Sequence, residues 1–316
     1  MIYMPKEKVL VLGANGFLGS HVVDYLVEEG FLVRAFDMYA DYSNTRFFKN
    51  EAIELFEGNF LNQTDIKDAL SDISYVIHLV STTNPATAES DPLIDIDTNI
   101  RGSVELFQQC VSNAKIKKII YSSSGGTVYG DHDINRPISE MDYTWPVSPY
   151  GIGKLTVENY LHYFDKKFNQ PYTVFRIANP YGERQPTARK QGVIPIFTEK
   201  IMKDELITVL GDGSMIRDYI YVKDVAKIIA KSLKKTLKHS VYNVGSGEGH
   251  TVSEIIKEIE IATQKKAKIE NREVPSTFVN YSVLDNHRCA SEFPEVDLTD
   301  LKTGIFRLVT EFKANK

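Results

Sequence analysis

The stretch KVLVLGANGFLGSHVVDYLVEEGFLVRAFD (8–37) decides the fold class. It opens on a short apolar run, Val9 to Leu12, that stops at Gly13, as a strand buried on both faces of a parallel sheet does. Gly16 and Gly19 follow, and Leu18, Val22 and Leu26 then recur at helical spacing. This predicts a helix over 17–29, ended by Gly30. A second apolar run over 32–36 leads into Asp37. Strand, glycine turn, helix, strand and acid, in that order, describe a dinucleotide-binding unit. Glycines let the backbone turn tightly and approach a pyrophosphate, while the helix start offers unpaired N–H groups and a partial positive charge. A carboxylate at Asp37 can accept from ribose hydroxyls and would repel a 2′-phosphate, which favours NAD over NADP.

Working outward, apolar runs over 53–56, 75–80, 118–122 and 172–177 read as further strands. Helical spacing covers 65–70, 92–113 and 149–168. The alternation predicts an α/β fold with a doubly wound parallel sheet, the Rossmann arrangement. After Ile177 the breakers Pro180, Gly182, Pro186, Gly192 and Pro195 set a looser rhythm, with returns to the sheet around 219–222 and 241–244 and helices over 252–263 and 301–312. The expected division is an NAD-binding domain over 1–178, with return segments near 219–246. A smaller C-terminal α/β substrate domain is expected from 179–218 and 247–316.

Composition sets the outer bounds. Of 316 residues 42% are hydrophobic and 25% charged, which is ordinary for a globular chain. The net charge of −5 argues against a nucleic-acid partner. Cys110 and Cys289 are the only cysteines and no CxxC or HExxH spacing occurs, so neither a metal site nor a disulfide framework is expected. The first residues lack a secretory pattern and no window approaches a membrane span, which sets the expectation of a cytoplasmic protein without a membrane partner.

Tyr150 and Lys154 carry the chemistry. At i and i+4 on the predicted helix they share a face, and a lysine charge beside a phenol favours the phenolate. A tyrosine whose pKa is lowered from its ordinary value near ~10 becomes a usable base. The run SSSGGTVYG (122–130) stands at the carboxyl end of the fifth strand, where parallel sheets place their ligands.

These motifs, with GNF (58–60), HLV (78–80), TNIRGS (98–103), SPYGIGK (148–154), RIANPYGERQ (176–185), QGVIP (191–195) and GDGSMIRDYIYVKDV (211–225), span nearly the whole chain. The sequence resembles extended short-chain dehydrogenases/reductases of the NAD-dependent epimerase/dehydratase family, and within it UDP-glucose 4-epimerase-like proteins. The resemblance implies NAD as cofactor and a UDP- or dTDP-linked sugar as substrate. It also implies a homodimer through a four-helix contact. Gly13, Asn15, Gly16, Phe17 and Leu18 match the pyrophosphate loop, and Asp37 matches the ribose ligand. Asn59 and Phe60 match the adenine site, where relatives usually carry an aspartate. Leu79, Val80, Ser81, Asn99 and Ser122 match positions that line the cofactor or brace its strand. Tyr150 and Lys154 match the catalytic pair. Asn179 and Arg217 match groups that hold the diphosphate, although Arg217 could instead form an ion pair with Asp218 or Asp224.

One departure concerns the catalytic hydroxyl. Its usual place, five residues before Gly130, is occupied here by Gly125, with Ser124 and Thr127 on either side as candidates. The acidic pair that dehydratase relatives carry there is replaced by Gly125, Gly126 and Thr127. The leading reading is therefore C4 epimerisation of a UDP-hexose through a 4-keto intermediate. A 4-ketosugar reductase is the alternative, and a non-catalytic NAD sensor would not need the Tyr150–Lys154 pair. Matching Asp285 to the acid that follows the sugar-size position of epimerase relatives puts Ser282 at that position, and a one-residue slip would put Tyr281 there. His78 reads as a packed strand histidine. Trp145, Tyr143 and Tyr129 read as packed aromatics rather than a sugar platform.

Overall fold

The computed structural model describes residues 7–39, 50–132, 136–187, 192–274 and 279–314, so Gln191 of the QGVIP run lies outside the described residues. The chain divides into two compact units. The first comprises Met1–Ser124, Ser148–Arg176 and Ala226–Tyr242, and the second Gly125–Val147, Ile177–Val225 and Asn243–Lys316.

The first unit begins β1(Lys8–Leu12), α1(Phe17–Glu28), β2(Leu32–Asp37), β3(Ile53–Glu57), α2(Gln63–Ala69) and β4(Tyr75–His78). After α3(Pro85–Ser90), the helix read from sequence over 92–113 is present as one continuous helical run, α4(Pro92–Ile94), a π-helical turn Asp95–Ile100 and α5(Arg101–Val111), the π-turn being the feature the spacing does not show. Asn84 and Asp91, each followed by proline, cap α3 and α4 through their side chains. Then come β5(Lys118–Ser124), α6(Pro149–Phe168) and β6(Tyr172–Ile177). Ser148 starts α6 by accepting from the Gly151 N–H, with Pro149 in the first turn, and Asn169 ends it in the left-handed conformation.

Further along are β7(Asn179–Tyr181), α7(Val193–Met202), β8(Leu206–Leu210), β9(Ile216–Tyr221), α8(Val222–Ser232), β10(Val241–Val244) and β11(Gly249–Thr251). The chain closes with α9(Val252–Thr263), β12(Lys268–Arg272), β13(Tyr281–Ser282), α10(His287–Glu292) and α11(Leu301–Ala314). The main sheet has the order β10-β6-β5-β4-β1-β2-β3, and β3, β2, β1, β4 and β5 run parallel. Chain order reverses between β1 and β4, so the loops leaving these two strands lie side by side at the switch point where such sheets bind ligands. The core around this sheet joins Leu10, Leu12, Val76 and Ile119 to Leu106, Phe107, Val157 and Leu161. Each such buried side chain contributes roughly 1.5–3 kcal/mol of hydrophobic stabilisation. His78 belongs here, buried against the rings of Phe60, Phe107 and Tyr121, its Nε2 2.9 Å from Ser103 Oγ.

In the second unit β9 is the axis of a small sheet, pairing with β7, β11 and β13. A separate core joins Phe197, Ile201, Val209, Ile255, Ile259 and Leu308. Tyr129 is buried, its hydroxyl donating to Asn243 Oδ1 at 2.7 Å. Trp145 departs from the expected packing, being 74% exposed, whereas Tyr143, although 64% exposed, has its ring 4.1 Å from that of His132. No helix among the described residues is long and apolar enough to cross a membrane.

Candidate active site

The glycine loop sits at the switch point. Gly13 has φ +84°, a conformation that favours glycine, and its Cα lies against the backbone of Leu79 and Val80 after β4. A side chain on Gly19 would overlap the Gly13 carbonyl, so the helix can approach the loop this closely only with glycine there. Gly16 precedes α1 and no side chain caps its first turn, which leaves the N–H groups of that turn for a ligand. Asp37 ties the loop down: its Oδ2 accepts from the Asn15 N–H at 2.8 Å and its Oδ1 from the Met38 N–H at 2.9 Å. A carboxylate oxygen can accept more than one hydrogen bond, so Asp37 keeps capacity for ribose hydroxyls. These are the features a dinucleotide requires, and the residues fit NAD.

The adenine-site pair divides. Asn59 is exposed; its Oδ1 receives the Leu61 N–H at 2.9 Å and its own N–H is held by Asp65. The Phe60 ring is buried in the core, so Phe60 can offer a ligand only its backbone. Leu79, Val80 and Ser81 are half-buried along the loop after β4. Asn99, on the π-helical turn, braces this loop: its Oδ1 accepts from the Thr82 N–H at 2.9 Å, and its Nδ2 donates to Thr83 Oγ1 at 2.8 Å and Asp95 Oδ1 at 2.7 Å.

Tyr150 and Lys154 share a face of α6 as their spacing predicts. Lys154 Nζ lies 5.6 Å from the Tyr150 ring centroid and 5.0 Å from that of Tyr121, and it donates to the Ser122 carbonyl at 3.0 Å. The electrostatics differ from the sequence reading. Burial pushes the Tyr150 phenol up to about 12; a hydrogen bond with Ser81 pulls it back and the Asp95 carboxylate raises it further. Lys154 falls to about 8, chiefly through burial, with Asp95 and Glu158 opposing the fall. The lysine charge is in place but does not outweigh desolvation of the phenolate.

Three acidic and basic side chains beside this pair escaped sequence reading. Asp95 is buried, and its Oδ1 accepts from Thr83 Oγ1 at 2.5 Å as well as from Asn99. Glu158 stands one turn beyond Lys154, bound by Arg176 at 2.7 Å and by the Ser123 hydroxyl. The usable signal was the i, i+4, i+8 series Tyr150, Lys154, Glu158 on one helix face. Ser124 ends β5 and is half-buried, whereas Thr127 Oγ1 is buried without a hydrogen-bond partner.

In the second unit Arg217 lines a cavity of about 290 Å³ with Val193, Phe197, Val209, Leu210 and Tyr219. Its guanidinium donates to the carbonyls of Ile216 at 2.9 Å, Asn280 at 3.3 Å and Val279. It pairs with neither Asp218 nor Asp224. Alternation along β9 turns Asp218 to the opposite face, where its carboxylate serves Ser246, Gly247 and Leu284, and Asp224 takes the Thr299 N–H. Asn179 donates to the Asp218 carbonyl at 2.8 Å. Ser282 is buried and pairs with Arg217 across β13 and β9, while Tyr281 pairs with Ile216.

With this geometry in view, a model of the NAD dependent epimerase/dehydratase family matches residues 9–245. The chain belongs to that family. Its cofactor class is therefore NAD, and its members act as epimerases and dehydratases. The chain is 33% identical over 314 residues to dTDP-4-dehydro-6-deoxyglucose reductase from Escherichia coli, covering 98% of each protein. It is 31% identical to a putative UDP-glucose 4-epimerase from Methanocaldococcus jannaschii, over 97% of this chain and 99% of that one. The structure of UDP-glucose 4-epimerase from Thermotoga maritima with UDP-glucose superposes with a TM-score of 0.90 at 32% identity, over 98% of this chain and 99% of that chain.

Proposed function

We propose that the protein interconverts the C4 epimers of a UDP-hexose. The observation that carries this reading is the Tyr150–Lys154 pair on α6, its lysine held by Ser122 at the end of β5, in a chain similar along its whole length to an epimerase solved with UDP-glucose. The glycine loop and Asp37 would hold oxidised NAD, which would supply a hydride acceptor and a cationic ring favouring the phenolate. Tyr150 takes the proton from the 4-hydroxyl of one epimer and gives one back at the 4-keto oxygen to form the other. Lys154 holds the phenol in an electropositive setting. Ser124 is the hydroxyl we place beside the sugar: it is half-buried at the strand end, while the Thr127 oxygen is enclosed. Arg217 serves the diphosphate, for which its fork of donors is suited, and its hydrogen bonds to Ile216 and Asn280 go to backbone carbonyls rather than to carboxylates. The nucleotide sugar is assigned to the second unit through Arg217, Asn179 and Ser282.

A second copy of this chain is the proposed partner. Ile152, Tyr160 and Tyr163 lie on one face of α6 and are exposed. Light scattering after size-exclusion chromatography reads the dimer directly.

The reductase relative from Escherichia coli keeps a second reading open, in which the protein reduces a 4-keto-6-deoxy sugar. One assay separates the two. Purified protein is given UDP-glucose, UDP-galactose, their N-acetyl forms or dTDP-4-keto-6-deoxyglucose, with and without NADH. Epimer formation without consumption of NADH supports epimerisation. Turnover that consumes NADH stoichiometrically supports the reductase.

A further inference from the structure

Asp95 has no task in the mechanism above, yet it is 3% exposed and lies in the interior of the first unit. Removing a carboxylate from water costs several kcal/mol unless its surroundings compensate. Two hydrogen bonds do so in part, from Thr83 Oγ1 and Asn99 Nδ2, and both fall on Oδ1. The other oxygen, Oδ2, lies against Gly153, so closely that a Cβ there would overlap it. Gly153 is three residues after Tyr150 and one before Lys154, so this carboxylate is set against the turn of α6 that carries both. The backbone is shaped for the purpose: Asp95 opens the π-helical turn Asp95–Ile100, an uncommon geometry concentrated at functional sites. A scaffold role would need only an acceptor at Oδ1, which asparagine also provides. What asparagine lacks is the charge.

We infer that Asp95 is a positioning residue whose negative charge, set against the α6 turn that carries Tyr150 and Lys154, sets the pH at which that pair works. The inference rests on the Tyr150–Lys154 pair of the proposed function. The sign of the effect is fixed. A nearby anion favours the ammonium form of Lys154 and opposes the phenolate form of Tyr150. The charged or titratable groups that act within this cluster are Tyr150, Lys154, Tyr121, Glu158 and His78. Glu158 is already neutralised by Arg176, which leaves Asp95 as the less compensated of the two carboxylates.

The test is Asp95→Asn in the NAD-loaded protein. The Tyr150 ionisation is followed by tyrosinate absorbance, as the difference between each protein and the same protein carrying Tyr150→Phe. The expected result is a midpoint lowered by about one pH unit or more. Both limbs of the pH–rate profile should move to lower pH, because phenolate forms earlier and lysine discharges earlier. A midpoint unmoved in a folded Asp95→Asn protein overturns the inference. Thr83→Ala removes a hydrogen bond but keeps the charge. If it shifts the midpoint as far as Asp95→Asn does, hydrogen bonding rather than charge is responsible and the inference fails. Should Asp95→Asn not fold, Gly153→Ala displaces Oδ2 from the α6 turn and should lower the midpoint by a smaller amount; no movement there also overturns the inference. Full activity in Tyr150→Phe would instead refute the underlying catalytic pair.

Discussion

Asp218 in the second unit and Asp95 in the first are both buried carboxylates, served in different ways. Asp218 receives the Ser246 N–H at 2.8 Å, the Ser246 hydroxyl at 2.7 Å, the Leu284 N–H at 3.2 Å and the Gly247 N–H at 3.3 Å, spread over both oxygens. Burial pushes its pKa up and these donors pull it back. Asp95 has donors on one oxygen, with the half-buried Tyr150 phenol and the buried Lys154 ammonium near by. A carboxylate with donors on both oxygens joins strands and loops, and those donors compensate most of its charge. One left partly unserved acts on its neighbours, and those neighbours here are the proposed catalytic groups. Asp37 stands between these cases, holding two backbone N–H groups at the end of β2 while remaining half-buried at the ligand loop.

The comparison can be broken at its reactive end first. Tyr150→Phe keeps the ring and removes the proton-transfer group. Loss of a positioned acid–base group costs about 10²–10⁴-fold in rate. That loss is expected in kcat, with NAD still bound. Near-normal kcat would show that the partly served cluster is not the reactive one.

At the saturated end, Asp218→Ala leaves four donors without their acceptor, and the expected effect is on stability. Breaking such a buried polar cluster costs about 3–5 kcal/mol. Urea denaturation should report a loss of that order. A neutral Asp218→Ala would mean that the four bonds contribute nothing and the distinction drawn above fails. The intermediate case predicts a smaller effect on binding. Wild type should bind NAD much more tightly than NADP, and Asp37→Ala should weaken NAD by about tenfold while narrowing that preference, since one hydrogen bond to a charged group is worth about 1.5–3 kcal/mol. Calorimetry with both cofactors checks it, and equal wild-type affinities would remove Asp37 from the ribose.

The same contrast explains what could be read from sequence. The ends of α6 were legible because Ser148, Pro149 and Asn169 are cap signals, and α9 was legible because Thr251 and Glu254 form a capping box. β1 was legible as an apolar run against glycine. The π-helical turn Asp95–Ile100 inside the helix read over 92–113 was not, because so short a change of period does not stand out from α-helical spacing. The Asn84-Pro85 and Asp91-Pro92 pairs mark the starts of α3 and α4, while the π-helical turn carries Asp95, packed against Gly153, a contact between residues distant in sequence. In the second unit β8 (LITVL) carries an apolar run of the kind that marks a strand. Its partner β12 (KIENR) has none, and its register is set by pairing with β8 rather than by its own residues. The Tyr150 pKa was misjudged for a related reason: sequence spacing shows the lysine but not the depth of burial that opposes it.

The smallest expected effect concerns the sugar's C2 substituent. Residues paired directly across a sheet project from the same face, so Ser282 shares a face with Arg217 and Tyr281 projects from the other. This register favours Ser282 over Tyr281 as the residue that meets a sugar whose diphosphate is held by Arg217. A serine leaves room for an acetamido group that a tyrosine ring would fill, so UDP-N-acetylhexosamines should be accepted alongside UDP-hexoses. Ser282→Tyr should then lower kcat/KM for UDP-N-acetylglucosamine by about 10–200-fold, the range for a misfit in a specificity pocket. UDP-glucose should be affected far less. Because Ser282 is buried and paired with β9, the tyrosine must displace something, so the two substrates are compared in the same protein preparation. Equal losses for both would show damage to the small sheet rather than a gate. A wild type that already rejects the N-acetyl sugar would place the size limit elsewhere.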